Sequence, residues 1–314
     1  MRIAVTGGAG FIGSHLVDSY ISAGHEVLVI DNLSTGKAQN LNPKALFSNA
    51  DIRDVAAVDR AFAQFHPEIV NHHAAQIDIR RSVDDPAFDA TVNVVGSIVL
   101  LQQAVRHGAR GFIFASSGGA IYGETPEPAP ETAVKAPISP YGAAKAAVEY
   151  YMFVYRRTFG LPAVALRYGN VYGPRQDPKG EAGVVSIFAG ALLSGAAPTI
   201  FGTGEQVRDY VYVGDVVNAN LRAIDYLLAG PPVPRTPDDQ AFNIGSGVST
   251  SVNELYRMLA GIVGFAGDPV YGDPRPGELM ESRLDISRAR TVLGFSPETD
   301  FEQGMRKVVD WLSR

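Results

Sequence analysis

Residues 3–13 read IAVTGGAGFIG, a short apolar run that leads directly into a glycine-rich turn. The apolar residues after the turn recur at helical spacing as far as Ile21. The stretch therefore predicts a strand, a tight turn and a helix, which is the opening unit of a parallel α/β sheet.

The glycines of this turn are spaced for a phosphate-binding site. Gly7, Gly10 and Gly13 form G-x-x-G-x-x-G, whose bare backbone lets a pyrophosphate approach the N-terminus of the following helix. The next predicted strand, Val27–Ile30, ends just before Asp31. A carboxylate there can accept hydrogen bonds from both hydroxyls of an adenosine ribose and would repel a 2′-phosphate. We therefore expect NAD rather than NADP; the competing interpretation is that the glycines only allow close packing of strand on helix.

Strand and helix patterns alternate through the first half of the chain. Further strands are predicted near Leu46 and at Ile69–Val70, Phe112–Phe114 and Ala163–Arg167, with helices over Asp54–Phe65, over Pro86–Gly108 and from Ser139-Pro140 onward. This alternation predicts a Rossmann-like doubly wound parallel sheet with helices on both faces. From Asn170 onward Gly and Pro become more frequent, which predicts a smaller C-terminal α/β lobe. That lobe should contain a capped helix from Ser251 to Val263 and an amphipathic helix over Phe301–Leu312.

Composition excludes several classes of function. The 314 residues carry a net charge of -6, which gives no general attraction for nucleic acid or anionic lipid. There is no cysteine, so disulfides, thiolate zinc sites and thiol nucleophiles are absent. No run of 18 apolar residues occurs, and the N-terminus lacks a signal-peptide pattern. We expect a cytoplasmic protein with no nucleic-acid or membrane partner. We also expect no metal site, because the adjacent His72 and His73 should point to opposite faces of a strand.

A second motif carries acid–base chemistry. Tyr141 and Lys145 are four residues apart, so both side chains should project from one face of a helix. A cation in that place is expected to lower the pKa of the phenol from about 10 and make it a usable general base. The alternative is an amphipathic helix with an extended surface lysine. The motif follows a predicted strand that ends near Ser116 and Ser117, on the side of the sheet where ligands bind, and this favours the catalytic interpretation.

Motifs along nearly the whole chain together resemble the extended short-chain dehydrogenase/reductase family, and within it the UDP-sugar 4-epimerases. The motifs are residues 6–13, Asp31-Asn32, Asp51-Ile52, Ser116-Ser117, Tyr141-x-x-x-Lys145, residues 166–174 (LRYGNVYGP), residues 208–211 (RDYV) and residues 275–278 (RPGE).

The resemblance implies roles for individual residues. Besides the glycines of the turn, the NAD pocket would be lined by Phe11, Ile12, Asp31, Asn32, Ser34, Thr35, Gly36, Asp51, Ile52, Ala74, Ala75, Asn93, Ser116, Tyr141, Lys145 and Tyr168. Asn170, Arg208 and Arg275 would hold the diphosphate of a UDP-sugar, and Glu278 would lie near the uridine ribose. Two arginine side chains suit a diphosphate, and a carboxylate suits ribose hydroxyls.

The loop after Ser116-Ser117 departs from the usual epimerase pattern. Gly118 occupies the place four residues before Tyr122-Gly123, where these epimerases commonly have Ser or Thr. Ser117 is our predicted catalytic hydroxyl, with Ser116 as the alternative. Dehydratase and decarboxylase relatives have an acidic residue just before this Tyr-Gly pair, and here there is none.

The resemblance implies reversible oxidation at C4 of a UDP-hexose such as UDP-glucose or UDP-galactose, with Tyr141, Lys145 and Ser117 as the catalytic residues. A 4-epimerase of uronate or pentose donors and a non-catalytic NAD-binding redox sensor are the alternatives. The small Ser282, seven residues after Arg275, implies room for an N-acetyl group at C2, unless Glu281 or Arg283 forms that wall instead.

The resemblance also implies a domain division and an assembly. Residues 1–169 plus about 205–247 would form the NAD-binding domain, and residues 170–204 plus about 248–314 the UDP-sugar lobe. The apolar helices near Ala87–His107 and Tyr141–Phe159 would form a four-helix contact in a homodimer.

Overall fold

The computed structural model describes residues 1–125, 127–178, 183–275 and 278–314. Its strands, numbered along the chain, are β1 (Arg2–Thr6), β2 (Glu26–Asp31), β3 (Leu46–Asn49), β4 (Ile69–His72), β5 (Gly111–Ser117), β6 (Ala163–Tyr168), β7 (Asn170–Tyr172), β8 (Thr199–Phe201), β9 (Val207–Tyr212), β10 (Ala241–Ile244), β11 (Ser249–Ser251), β12 (Val270–Gly272) and β13 (Glu281–Ser282). Its α-helices are α1 (Phe11–Ser22), α2 (Val55–Phe65), α3 (Ile79–Asp84), α4 (Pro86–Ala90), α5 (Gly96–Arg106), α6 (Gly118–Ile121), α7 (Pro140–Phe159), α8 (Val184–Leu193), α9 (Val213–Leu228), α10 (Val252–Val263) and α11 (Phe301–Leu312).

The large sheet has seven parallel strands in the order β10-β6-β5-β4-β1-β2-β3. This order confirms the predicted Rossmann-like doubly wound sheet. The direction of winding reverses at β1, so the carboxyl ends of β1 and β4 flank the crevice where such sheets bind ligands.

Each face of the large sheet is covered by helices. Leu16 of α1 and Val216 of α9 belong to the apolar core on one face. Phe62 of α2, Leu100 of α5 and Met152 of α7 belong to the core on the other. Because both faces are buried, the inner strands are almost continuously apolar, as in other parallel sheets.

The predicted long helix from Pro86 is present but not uniform. It begins after Asp85, whose side chain accepts a hydrogen bond from the backbone of Phe88 at 3.0 Å, and it ends at Arg106 rather than Gly108. Between α4 and α5, Thr91–Val95 forms a π-helical turn that contains Asn93. Such wider turns often occur at functional sites.

Among the described residues, this 21-residue segment from Pro86 to Arg106 has the length and composition of a membrane span. Half of its most apolar stretch is buried inside the protein. Core helices meet the same length and composition criteria, so this feature is only weak support for a span.

The second lobe is built on smaller sheets. One contains β11, β9 and β13, with β7 also paired to β9, and another pairs β8 with β12. Its apolar core includes Phe188 of α8, Leu255 of α10 and Met305 of α11. The predicted capping box at Ser251 and Glu254 is present at the start of α10. The predicted division of the chain between two domains stays a prediction.

Candidate active site

The glycine turn lies at the carboxyl end of β1. Gly7 has a φ of 68°, and a Cβ there would lie 2.7 Å from the backbone nitrogen of Ala74. A Cβ on Gly13 would lie 2.2 Å from the carbonyl oxygen of Gly7. Close packing therefore accounts for these two glycines. It does not account for Gly10, where a Cβ would meet only the Gly7 oxygen, at 3.1 Å. Gly10 leaves the N-terminus of α1 open, which suits an approaching phosphate.

Asp31 lies beside this turn at the end of β2. Its carboxylate accepts hydrogen bonds from the backbone nitrogens of Ala9 at 3.0 Å and Leu33 at 2.8 Å. A Cβ on Gly36 would lie 2.9 Å from the same carboxylate. The predicted ribose-binding carboxylate is thus held in a fixed position by the backbone around it.

The predicted adenine-side residues form an adjacent cluster. Asn32 donates a hydrogen bond to Asp51 at 3.0 Å and accepts one from the backbone of Ser34. Arg53 forms two side-chain hydrogen bonds with Asp51, which lower the pKa of Asp51 to about 2. Ile52 is buried. Arg53 was not predicted from the sequence, although it lies only two residues beyond Asp51.

The segment after β4 lies on the other side of the turn. The backbone of Ala74 donates to the hydroxyl of Thr6 at 3.2 Å. Asn93, from the π-helical turn, exchanges two hydrogen bonds of 2.9 Å with the backbone of Gln76. The side-chain amides of Gln76 and Asn93 both donate to buried Asp89. The pocket role of Ala74 and Asn93 stays a prediction, and the contacts that Gln76 and Asp89 make with Asn93 were not predicted from the sequence.

His72 is a structural residue. One ring nitrogen lies 2.7 Å from the Thr6 hydroxyl, and the other lies 2.8 Å from the Ser97 hydroxyl. Burial lowers the pKa of His72 well below its usual range, so the ring is neutral. Within the described ranges, no cluster of three or more potential metal ligands is found.

Tyr141 and Lys145 lie in the first turns of α7, as their spacing predicts. The ammonium nitrogen of Lys145 lies 5.6 Å from the centre of the Tyr141 ring and donates to the carbonyl oxygen of Ala115 at 2.7 Å. The Tyr141 side chain hydrogen-bonds Ser117, whereas the Ser116 hydroxyl points away and donates to Glu149 at 2.7 Å. Of the two candidate serines, Ser117 is the one in contact with the tyrosine.

The prediction that the pKa of Tyr141 is lowered is wrong. Burial raises the pKa of this phenol above its ordinary value, and the nearby charge of Asp89 raises it further. The hydrogen bond with Ser117 lowers it but does not offset these effects. Burial also lowers the pKa of Lys145 to about 8. Sequence spacing placed the two groups together, but it contained no information about their burial.

A buried ionic network supports the strand that ends at Ser117. The guanidinium of Arg167 donates to Glu149 at 2.9 and 2.6 Å, and both side chains are fully buried. Arg167 also bonds Tyr122 and Asp238. The sequence contained a usable indication of this network, since a charged residue in the otherwise apolar β6 must be paired.

Tyr168 forms part of a second polar network. Its hydroxyl lies 3.0 Å from a ring nitrogen of His73 and accepts a hydrogen bond from Asn220 at 2.8 Å. Its ring stacks on that of His73. The structure therefore places this predicted pocket residue against the segment that leads to Ala74.

The predicted sugar-side residues approach α6, the short helix directly after Ser117. A Cβ on Gly119 would lie 3.4 Å from the side-chain oxygen of Asn170 and 3.9 Å from the Ser282 hydroxyl. Ser282 is buried in β13 and pairs with Arg208 of β9. Its neighbours Glu281 and Arg283 pair with each other at 3.4 Å.

The predicted diphosphate ligands are held by local contacts. Arg208 lies 3.7 Å from the carboxylate of Glu278. Arg275 stacks over the ring of Phe201 at 3.9 Å. Pro276 and Gly277, the middle of the predicted RPGE motif, lie outside the described residues.

Comparison with known proteins identifies relatives over the full chain. A model of the NAD dependent epimerase/dehydratase family matches residues 3–245. The UDP-glucose 4-epimerase of Mycolicibacterium smegmatis is 48% identical over 317 residues, which cover 99% of this chain and 98% of that one.

Two solved structures are also similar. UDP-glucose 4-epimerase of Thermotoga maritima with UDP-glucose has a TM-score of 0.94 and 48% identity, covering 100% of this chain and 99% of that one. UDP-N-acetylglucosamine 4-epimerase of Methanobrevibacter ruminantium, in complex with UDP-N-acetylmuramic acid, has a TM-score of 0.90 and 35% identity, covering 99% and 98%.

Proposed function

Because the chain belongs to the NAD dependent epimerase/dehydratase family, we propose that it is a 4-epimerase that interconverts UDP-glucose and UDP-galactose. The contact between Tyr141 and Ser117, beside the buried Lys145, supports this most directly. The sequence of α6 over Gly119–Ile121 favours an epimerase over a dehydratase, since it offers no acid to drive loss of water.

The arrangement explains how the proton of the sugar is handled. NAD, when bound, supplies reversible oxidation at C4 through a 4-keto sugar, with reduction on the opposite face. In its phenolate form, Tyr141 receives the proton of the 4-hydroxyl as C4 is oxidised, becomes a phenol, and returns that proton when C4 is reduced. Ser117 orients the phenol by its hydrogen bond. The ammonium of Lys145 stabilises the phenolate that accepts this proton, which opposes the effect of burial on the phenol.

The experiment that tests this function is incubation with a panel of UDP-sugars and separation of the products. We expect UDP-glucose to form from UDP-galactose, and UDP-galactose from UDP-glucose. Turnover of only UDP-glucuronate or UDP-xylose would assign the chain to another substrate class. No turnover of any sugar would favour a redox sensor over an enzyme.

We expect the purified protein to contain NAD. Asp31 suits the adenosine ribose, and the open backbone at Gly10 suits the pyrophosphate. A cycle that regenerates its cofactor has no need to release it. Denaturation should release close to one nicotinamide dinucleotide per chain, measured by enzymatic cycling assays specific for each cofactor. Recovery of mainly NADP would contradict the role given to Asp31.

We expect the enzyme also to interconvert UDP-N-acetylglucosamine and UDP-N-acetylgalactosamine. Ser282 is small, and its hydroxyl would lie 3.9 Å from a Cβ on Gly119. The resemblance implies that C2 of the sugar lies beside Ser282. A tyrosine there would clash only with the larger sugar. Ser282→Tyr should lower kcat/KM for the N-acetylated sugars by at least about 100-fold and leave the plain sugars nearly unchanged.

The matched control is Ser287→Tyr, which places the same side chain at an exposed position five residues along. It should change neither activity. Equal slowing of both sugar classes by Ser282→Tyr, or a wild-type enzyme that ignores the N-acetylated pair, would show that Ser282 does not control this choice.

We expect a homodimer formed through α5 and α7. These helices pack on each other, yet α7 leaves Tyr150, Tyr151 and Val154 between 41% and 54% exposed. An exposed apolar surface of this kind is typical of an interface. Light scattering at micromolar concentration should give the mass of two chains. Val154→Lys should lower the measured mass toward that of one chain. Val134→Lys, at an 83% exposed position elsewhere, should not.

Three expectations from the sequence stay predictions. They are the cytoplasmic location, the lack of nucleic-acid and membrane partners, and the division at about residues 169, 205 and 247. Cell fractionation, binding assays and limited proteolysis test them in that order.

A further inference from the structure

Asp89 is a buried carboxylate that the proposed reaction does not use. Its side chain lies in α4 and is 1% exposed. One oxygen accepts hydrogen bonds from the amides of Gln76 at 3.0 Å and Asn93 at 2.9 Å. The other oxygen is buried and has no hydrogen-bond partner among the described residues. A carboxylate buried in this way is unfavourable unless a nearby cation compensates it.

The compensating cation is Lys145, on the helix that packs against α4. Lys145 is 4% exposed, and its ammonium has a neutral carbonyl, that of Ala115, as its hydrogen-bond acceptor. Burial raises the pKa of Asp89 and lowers that of Lys145, and each charge opposes the shift of the other: Asp89 raises the pKa of Lys145, and Lys145 lowers that of Asp89. Each buried charge therefore makes the other less costly.

The remaining charged groups near Lys145 do not replace Asp89. Glu149 is the other anion, but Arg167 and Ser116 already bond its carboxylate.

Two histidines face Lys145 from β4 and its end, and neither supplies a charge. Burial lowers the pKa of His72 well below its usual range and that of His73 to about 3, and the charge of Lys145 lowers both further. Tyr141, on the same helix as Lys145, supplies no positive charge, and burial raises the pKa of its phenol.

We propose that Asp89 is a positioning residue whose buried carboxylate is the counter-charge that keeps the Lys145 ammonium charged beside Tyr141. This inference rests on the proposed epimerase function, because Lys145 acts there only as a cation. With Asp89 present, burial leaves the pKa of Lys145 at about 8. Without Asp89, a large share of Lys145 would be uncharged at neutral pH.

Asp89→Asn is the sharpest test, because Asn keeps the oxygen that accepts from Gln76 and Asn93 and removes only the charge. The measurement is the pH profile of kcat for UDP-galactose with the purified holoenzyme. Activity should fall as pH rises through the pKa of Lys145, near 8 in the wild type. In the variant this alkaline limb, the fall of kcat at high pH, should move to a pH about one unit lower. The kcat of the variant at pH 8 should then be about fivefold below that of the wild type.

Asp84→Asn is the matched control, because it removes a nearby but exposed carboxylate at the end of α3. The pH profile of Asp84→Asn should match that of the wild type. Because Asp89→Glu keeps a carboxylate, its alkaline limb should lie closer to that of the wild type than the limb of Asp89→Asn does. An Asp89→Asn profile that coincides with the wild type would overturn the proposal. A wild-type protein that epimerises none of the UDP-sugars in the panel would instead overturn the proposed function.

If Asp89→Asn is inactive, a double-mutant cycle on Tm tests whether the charges of Asp89 and Lys145 stabilise each other. Asp89→Asn and Lys145→Met should each lower Tm, and the double variant should lower it by less than the sum, because neither charge is then left alone. Additive losses of Tm would overturn the pairing of the two residues.

Discussion

Tyr141→Phe is expected to lower kcat by about 10²- to 10⁴-fold while UDP-sugar binding is preserved, because it removes the proton acceptor and leaves the proposed diphosphate ligands in place. The phenol is buried and hydrogen-bonded to Ser117. Of the proposed diphosphate ligands, Arg208 lies on β9 and Arg275 lies between β12 and β13. The measurements are kcat for UDP-galactose and Kd for UDP-glucose by calorimetry.

Tyr151→Phe provides the comparison, because it removes a phenol from the same helix at a position 41% exposed. Its kcat should equal that of the wild type. A Tyr141→Phe enzyme that kept more than about a tenth of the activity would rule out the proton transfer described above.

Glu149→Gln is expected to destabilise the protein by about 3–5 kcal/mol, the usual cost of breaking a buried ion pair. Both Glu149 and Arg167 are fully buried, so the variant leaves a guanidinium charge in the interior without its main partner. Ser116 loses a charged acceptor at the same time. The midpoint of urea unfolding, followed by circular dichroism, measures the effect.

Glu302→Gln serves as the control, since it breaks the exposed pair of Glu302 and Arg306 on α11. That pair should contribute less than about 0.5 kcal/mol. Replacement of both Glu149 and Arg167 by Met should cost less than Glu149→Gln alone, because no unpaired charge remains. Equal shifts for Glu149→Gln and Glu302→Gln would refute the importance of the buried network.

Local spacing was enough to predict the backbone structure around the proposed cofactor site. Gly7, Gly10 and Gly13 are close in sequence, and the strand–turn–helix that contains them fixes where they point. The same is true of Tyr141 and Lys145, which lie one turn apart on α7. In each case one secondary-structure element determines the arrangement.

Features that depend on packing between distant elements were not predictable. Asp89 lies near Tyr141 only because α4 packs on α7, and no spacing in the sequence reports that contact. The predicted direction of the Tyr141 pKa shift was wrong for the same reason, because the burial that raises this pKa depends on the whole fold. Arg167 stood inside a recognised motif, but its partner Glu149 comes from another element.

The late position of β10 has a consequence for synthesis on the ribosome. β6 pairs on one side with β5, which precedes it, and on the other with β10, which is made after β7, β8, β9 and α9. At about 5–20 residues per second, the roughly 70 residues between β6 and β10 take about 4–14 s to translate. During that interval the nascent chain presents an apolar strand with an open edge, a state prone to aggregation. Chaperone demand during translation should therefore be greatest until Ile244 has left the exit tunnel.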